Sequence, residues 1–161
     1  MLTHQEVLLR LGVSLLFGLI IGFERSFWGK PIGLRTYSLV CLGSTLFMII
    51  SAYGIQVVPA GNLLHAADPG RIAAQVVVGI GFLGTGVILR DRGRIRGITT
   101  AAELWVSAAF GMIIGLGLFF LAAISLACVF IGLYTHNLFI WIGLIPRPDR
   151  NQDRQDYVDQ D

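Results

Sequence analysis

Long apolar runs, interrupted by small residues far more often than by charges, set the layout of this chain. Five hydrophobic segments can be drawn, at about 7–23, 36–53, 72–89, 100–114 and 118–144, the first three of them near the roughly 20 residues a helix needs to cross a bilayer core. Nothing charged lies between Leu104 and Leu144. That run is too long for one span, so the chain must turn inside it, and Gly115-Leu116-Gly117 is the natural place. A short fourth helix follows from that turn. The first segment could pass for a signal peptide, but Gly22-Phe23-Glu24-Arg25 leads into a charged, Trp-containing loop and not into a small-residue cleavage site. It is therefore read as a mature span.

The third segment has the most informative polarity. Asp68 suits an N-cap and Pro69 the first helical position, which predicts a helix reaching Leu89, about 21 residues or roughly 31 Å. At helical spacing Arg71, Gln75, Gly79, Phe82 and Gly86 share one side. Lipid would leave the two polar side chains unsatisfied and would not use the close approach that glycines permit. This face is expected to pack against protein.

Composition fixes the class. The chain has 161 residues, 55% hydrophobic and 14% charged, with a mean hydropathy of +0.73, against about 25% charged in an ordinary soluble domain. It reads as an all-α integral membrane protein, a compact bundle of about five transmembrane helices over 1–145, with a polar tail at 146–161 expected to be disordered. A formal charge of +2 gives no footprint for nucleic acid. Cys41 and Cys128 both sit in apolar runs without a CxxC and are expected to be buried packing residues.

The placement of charge predicts orientation. Arg25, Lys30 and Arg35 follow the first span; Arg90, Arg92, Arg94 and Arg96 follow the third; Arg147, Arg150 and Arg154 lie in the tail. The positive-inside rule assigns these three regions to the cytoplasm. The N-terminus with Arg10, the 54–71 segment and the turn at Gly115 then lie outside. Five spans satisfy this alternation, and an even number does not.

Several motifs carry less than their spelling suggests. Gly79-Ile80-Gly81-Phe82-Leu83-Gly84 matches GxGxxG but lies mid-span without a strand-turn-helix context, so no nucleotide site is inferred. Gly18/Gly22 and Gly111/Gly115 form GxxxG pairs that let helices approach closely, within one chain or between two. No Ser/His/Asp set, HExxH or P-loop is present, His4, His65 and His136 are scattered, and no carboxylate cluster supplies the oxygen ligands of magnesium. The sequence thus predicts no enzyme, cofactor or resident metal.

Charged residues near the spans are the functional candidates, because an ionised side chain at a helix centre costs about 2.5–3.5 kcal/mol on insertion scales. Asp68 and Arg71 read either as a cap with a local ion pair or as an outward polar site, with Gln75 below them. Glu24 and Arg25 close the first span, where interfacial pairing and a site are both open. Thr100-Ala101-Ala102-Glu103 fits a capping box. Its rival has Glu103, with Ser107 and Gly111 following at helical spacing, entering the bundle to pair with Arg25, Arg35 or a cation. Thr99 and Thr100 complete the inner polar set.

At these residues the chain resembles the MgtC/SapB family of bacterial inner-membrane proteins. The matching blocks are Gly22-Phe23-Glu24-Arg25, Lys30-Pro31-Ile32-Gly33-Leu34-Arg35-Thr36, Asp68 through Gly86, and Arg96-Gly97-Ile98-Thr99-Thr100-Ala101-Ala102 with Leu104-Trp105, in that order across about 7–140. The resemblance implies a role in growth under magnesium limitation, virulence inside host cells and, in some branches, acid stress. Its best-studied branch looks like a regulator of other membrane proteins, including the F-type ATP synthase and transport systems. That branch carries a folded ACT-like domain after the last span; only about 16 polar residues follow Ile145 here, which points to the short, membrane-only branch. Phe27 and Trp28 also depart from the more polar loop of such proteins and read as interfacial anchors. Glu103 stands where a small or uncharged residue is expected.

Two classes of function follow: a homeostatic membrane protein acting through helix contacts with other membrane proteins, or a small homodimeric transporter or channel for an ion or solute. In the second, Asp68, Arg71 and Gln75 would line the outer half and Glu24, Arg25, Arg35, Thr99, Thr100 and Glu103 the inner half. Arginines at 25, 35 and 71 suit an anion or a proton-coupled solute better than a metal cation.

Overall fold

The computed structural model describes residues 2–30, 32–53, 70–91 and 94–144. They form five helices, α1 (His4–Phe27), α2 (Leu34–Tyr53), α3 (Gly70–Val87), α4 (Ile98–Gly115) and α5 (Phe119–Ile142), and a small hairpin of β1 (Leu89–Asp91) and β2 (Arg94–Arg96). The first four helices are long and apolar enough to cross a membrane. The chain divides into one unit of residues 1–122 and another of residues 123–161.

Within the first unit, the burial pattern is that of a protein solvated by lipid. Large apolar side chains point outward, among them Leu8, Phe23, Leu39, Phe47, Val78 and Phe82. Small and polar ones point inward. On α1 the buried row is Arg10, Ser14, Gly18, Ile21, Gly22 and Arg25; on α2 it is Tyr37, Ser38, Cys41, Ser44, Thr45 and Ser51. Where the solvent is as apolar as leucine, close backbone approach and hydrogen bonds hold helices together.

Both GxxxG pairs serve that purpose, and both do so on α2. A Cβ at Gly18 would lie 2.5 Å from the Ser38 Cα, and one at Gly22 2.6 Å from the Leu34 Cα. From the other side, a Cβ at Gly111 would meet the Cys41 carbonyl oxygen, and one at Gly115 would lie 2.7 Å from the Met48 Cβ. Helix α2 is thus clamped between α1 and α4 at distances no side chain permits. Thr45 ties the three helices: its hydroxyl lies 2.7 Å from Ser14 Oγ on α1 and 2.9 Å from the Gly111 carbonyl on α4. Phe17 and Phe110 complete the α1–α4 contact with ring centroids 5.7 Å apart.

Helix ends follow local chemistry. Helix α1 opens on a capping box: the Glu6 N–H donates to Thr3 Oγ1 at 3.3 Å, and the Thr3 N–H donates to Glu6 Oε2 at 2.8 Å. The expected turn after α4 is a Schellman motif. Leu118 N–H reaches the Ile113 carbonyl at 3.1 Å, Gly117 N–H reaches Ile114 at 2.9 Å, and Gly117 takes φ +83° as its C′ residue.

Three expectations are corrected. The proposed capping box at Thr100–Glu103 does not form; α4 starts earlier, at Ile98, from a left-handed Gly97 N-cap with no side-chain cap bond. The α3 face of Arg71, Gln75, Gly79, Phe82 and Gly86 is exposed among the described residues, so any protein packed on it is not supplied by them; Ile80 and Gly84 are the buried residues of α3. Gly84 faces Ala101 of α4, where a Cβ would make ordinary contact at 3.6 Å. Cys41 is buried as expected, but Cys128 is exposed. The link between the third and fourth spans is not plain loop: Leu89 pairs with Arg96, Arg90 with Ile95 and Asp91 with Arg94 in antiparallel register.

In the second unit, α5 continues with Phe130 and Tyr134 stacked at 6.4 Å and Thr135 Oγ1 donating to the Ile131 carbonyl. Asp68 and the 146–161 tail lie outside the described residues.

Candidate functional site

One end of the α1–α2–α4 bundle holds a buried cluster of charge. Arg25 sits in the last turn of α1 and Glu103 in the second turn of α4, and their side chains are only 7% and 4% exposed. Arg25 Nη1 donates to Glu103 Oε1 at 2.8 Å, and Arg25 Nη2 donates to Thr100 Oγ1 at 3.2 Å. The second carboxylate oxygen, Glu103 Oε2, accepts from the Tyr37 hydroxyl at 3.1 Å. Glu24 Oε2 stands 4.0 Å from Arg25 Nη1. One guanidinium therefore faces two carboxylates, and a phenol from α2 completes the link among three helices.

Local sequence explains the meeting. Arg25 continues the small and polar row of α1 by one turn beyond Gly22, the point of closest approach to α2. Glu103 lies on the α4 row of Thr100, Ser107, Gly111 and Gly115, all buried. Ser107 extends the polar contact downward, its hydroxyl 3.4 Å from the Tyr37 carbonyl. Below it, Ser14 Oγ donates toward Cys41 Sγ at 3.3 Å. The rival reading of Glu103 as Arg25's partner thus describes the geometry, and the pair is made within one chain. Chemically, the cluster is a charge-assisted clasp that fixes the helix ends. Breaking one partner would strand the other away from water.

The remaining sequence candidates scatter. Arg35 and Thr99 are exposed and outside the clasp. Arg71 and Gln75 are exposed on α3. A groove of about 650 Å³ runs between α2 and α3, lined by Leu39, Val40, Gly43, Ser44 and Phe47 on one wall and by Gln75, Val76, Gly79 and Leu83 on the other. Among the described residues, nothing beyond the helix's own nearby backbone lies within 4 Å of a Cβ built at Gly43, Gly79, Gly81 or Gly86. Among the described residues no group of three or more His, Cys, Asp or Glu is placed to hold a metal ion.

Two residues of consequence were missed. Tyr37 begins the α2 row that Cys41 and Thr45 continue, and that spacing was the available signal. Arg10 is buried at the other end of the bundle, where Nη1 donates to the Gly115 carbonyl at 2.6 Å and the guanidinium lies 5.0 Å from the Tyr53 ring centroid. A cation at the open carbonyls of α4 complements the helix dipole. Its signal was Arg10-Ser14-Gly18-Gly22, a polar and small stripe on an otherwise apolar helix. At this same end Ser51 Oγ accepts the Ala73 N–H at 3.3 Å, tying α2 to the first turn of α3.

Comparison with known proteins places this architecture. The chain is 50% identical over 115 residues to the "Putative magnesium transporter YhiD" of Escherichia coli (strain K12), covering 71% of this chain and 53% of that protein. It is 35% identical over 150 residues to Protein SapB of Bacillus subtilis (strain 168), covering 92% of this chain and 63% of SapB. It is 44% identical over 112 residues to Protein MgtC of Salmonella typhimurium (strain LT2), covering 70% of this chain and 44% of MgtC. The chain spans about half the length of the curated relatives it matches. No solved structure matches. The family model described as the MgtC family matches residues 11–139, which include most of α1, all of α2 through α4, the clasp and most of α5, and this membrane protein belongs to that family.

Proposed function

We propose that this protein serves magnesium homeostasis and stress adaptation in the bacterial inner membrane, without catalysis of its own, by docking a transmembrane helix of another membrane protein on α3 and its groove. The observation that carries the reading is a division among the glycines. Gly18, Gly22, Gly111 and Gly115 are consumed in clamping α2, whereas Gly79 and Gly86 face open space on the side of α3 that carries Gln75, for which no hydrogen bond is found among the described residues. A bilayer gains nothing from bare glycine and offers no partner to an amide, but a second helix uses both. Magnesium enters through the relatives' names and the family resemblance. Basic residues after α1 and α3 support an orientation with those loops in the cytoplasm and the N-terminus outside.

Gly79→Leu and Gly86→Leu test it. Neither Cβ meets a neighbour, and Gly→Leu raises helix propensity by about 0.8 kcal/mol, so thermal stability should hold or rise. Rescue of a deletion strain under magnesium limitation should nonetheless be lost. Full rescue by both variants would sink the docking surface.

A second reading, transport, is favoured by the row of buried polar groups running from Glu103 and Tyr37 through Ser107 to Ser14 and Thr45. Flux of magnesium or another defined solute into liposomes holding the purified protein, abolished by Glu103→Ala in protein whose helicity shows it still folded, would establish it over regulation.

A further inference from the structure

The hairpin between α3 and α4 carries chemistry that neither the clasp nor the α3 face uses. We propose that it is a binding surface for the phosphodiester headgroups of anionic phospholipids, with the aromatic end of α1 as its neighbour.

Position comes first. Helix α3 ends at Val87, β1 starts at Leu89, and α4 starts at Ile98. Two span-length helices thus end within a few residues of the strands, and a hairpin this short between them lies in the headgroup layer. Gly97 holds it there: with φ +89°, a Cβ at this position would run into the Val87 carbonyl. Arg25 brings the end of α1 to the same boundary, because it bonds Thr100 in the first turn of α4. Phe27 and Trp28, both more than half exposed, therefore lie at this level, with ring centroids 5.9 Å apart. Interfacial aromatics occupy that depth.

Register comes second. Leu89 stands directly across from Arg96, and Ile95 across from Arg90. Directly opposed side chains share a face of the ribbon with Cβ atoms roughly 5 Å apart, and successive residues alternate faces. One face consequently sets Arg90 against Ile95, and the other sets Leu89 against Arg96 with the Asp91 and Arg94 positions next along it. Each face thus holds an aliphatic side chain directly opposite a guanidinium, and the four residues of the second face together carry a net positive charge. Leu89 is 64% exposed and Ile95 59%, and both arginines are exposed. Neither Arg90 nor Arg96 has an ion-pair partner among the described residues. Water would solvate the arginines but not the aliphatic neighbours, and hydrocarbon the reverse. A headgroup layer satisfies both, since phosphate oxygens accept the guanidinium fork while Leu89 and Ile95 enter the acyl boundary. Anionic lipid adds attraction that zwitterionic lipid lacks, worth about fivefold in affinity per arginine.

The full-length protein would be reconstituted into bilayers of phosphatidylcholine with increasing phosphatidylglycerol, and brominated forms of each lipid would report contact by quenching tryptophan. Phosphatidylglycerol should be preferred several-fold over phosphatidylcholine, and the preference should fall as salt rises. Arg90→Gln with Arg96→Gln should reduce it toward parity, and Arg90→Lys with Arg96→Lys should keep part of it. Equal quenching by the two lipids in the native protein would overturn the inference, as would a preference that survives the double Gln variant or ignores salt. Suppression by inorganic phosphate, at ionic strength held constant, would assign the arginines to free phosphate and overturn the lipid assignment. The salt series on the native protein decides the matter even where the Gln variant fails to fold. The outcome is independent of whether α3 docks a partner.

Discussion

Glu103 shows how one pattern can carry two meanings. Thr-x-x-Glu occurs at Thr3–Glu6 and again at Thr100–Glu103. The first closes into a capping box. In the second, Gly97 starts α4 one turn early, so both side chains fall inside the helix and turn to Arg25. The difference lies in a left-handed glycine upstream, a conformation the Thr-x-x-Glu spelling does not contain. If the clasp is a buried pair, Glu103→Ala should cost about 3–5 kcal/mol by leaving Arg25 charged and unpartnered, whereas Arg25→Met with Glu103→Met should recover most of that loss. Steric-trap or detergent unfolding of the single and double variants measures it. A double-variant loss equal to the sum of the two single losses would mean that the pair itself contributes little.

Among the elements, α1, α2 and α4 were more legible than α3. The GxxxG pairs and the polar residues spaced with them announced close packing, and the structure gives each pair a defined partner surface on α2. Gly111→Leu should therefore disrupt the bundle outright, since its side chain would occupy the Cys41 carbonyl and Ser44. Gly79→Leu should leave it intact. Loss of the folded state in both, followed by helicity and melting, would contradict the division. Helix α3 was less legible because its polar and small face satisfies the same rule whether the partner is this chain or another protein. Sequence can say that such a face wants protein, but not whose. The hairpin was invisible for a related reason: Arg-rich connections carry no alternation strong enough to mark two three-residue strands.

For the molecule as a whole, hydropathy established the membrane class and the family blocks supplied a candidate role, while the fold decided which residues meet. The described bundle is tied at both ends, by Arg25, Glu103 and Tyr37 at one and by Arg10 on the Gly115 carbonyl at the other. Between these ends α2 is held at backbone distance from both neighbours. A core closed in this way directs attention to its outside, where α3 presents glycine and an amide. The most direct test is photocrosslinking in living cells, with a photoreactive residue placed in turn at Gln75, Gly79 and Gly86 and, as lipid-facing controls, at Leu8 and Leu39. The account predicts discrete adducts with a second polypeptide at the three α3 positions and not at the controls. Lipid adducts alone at all five positions would contradict it.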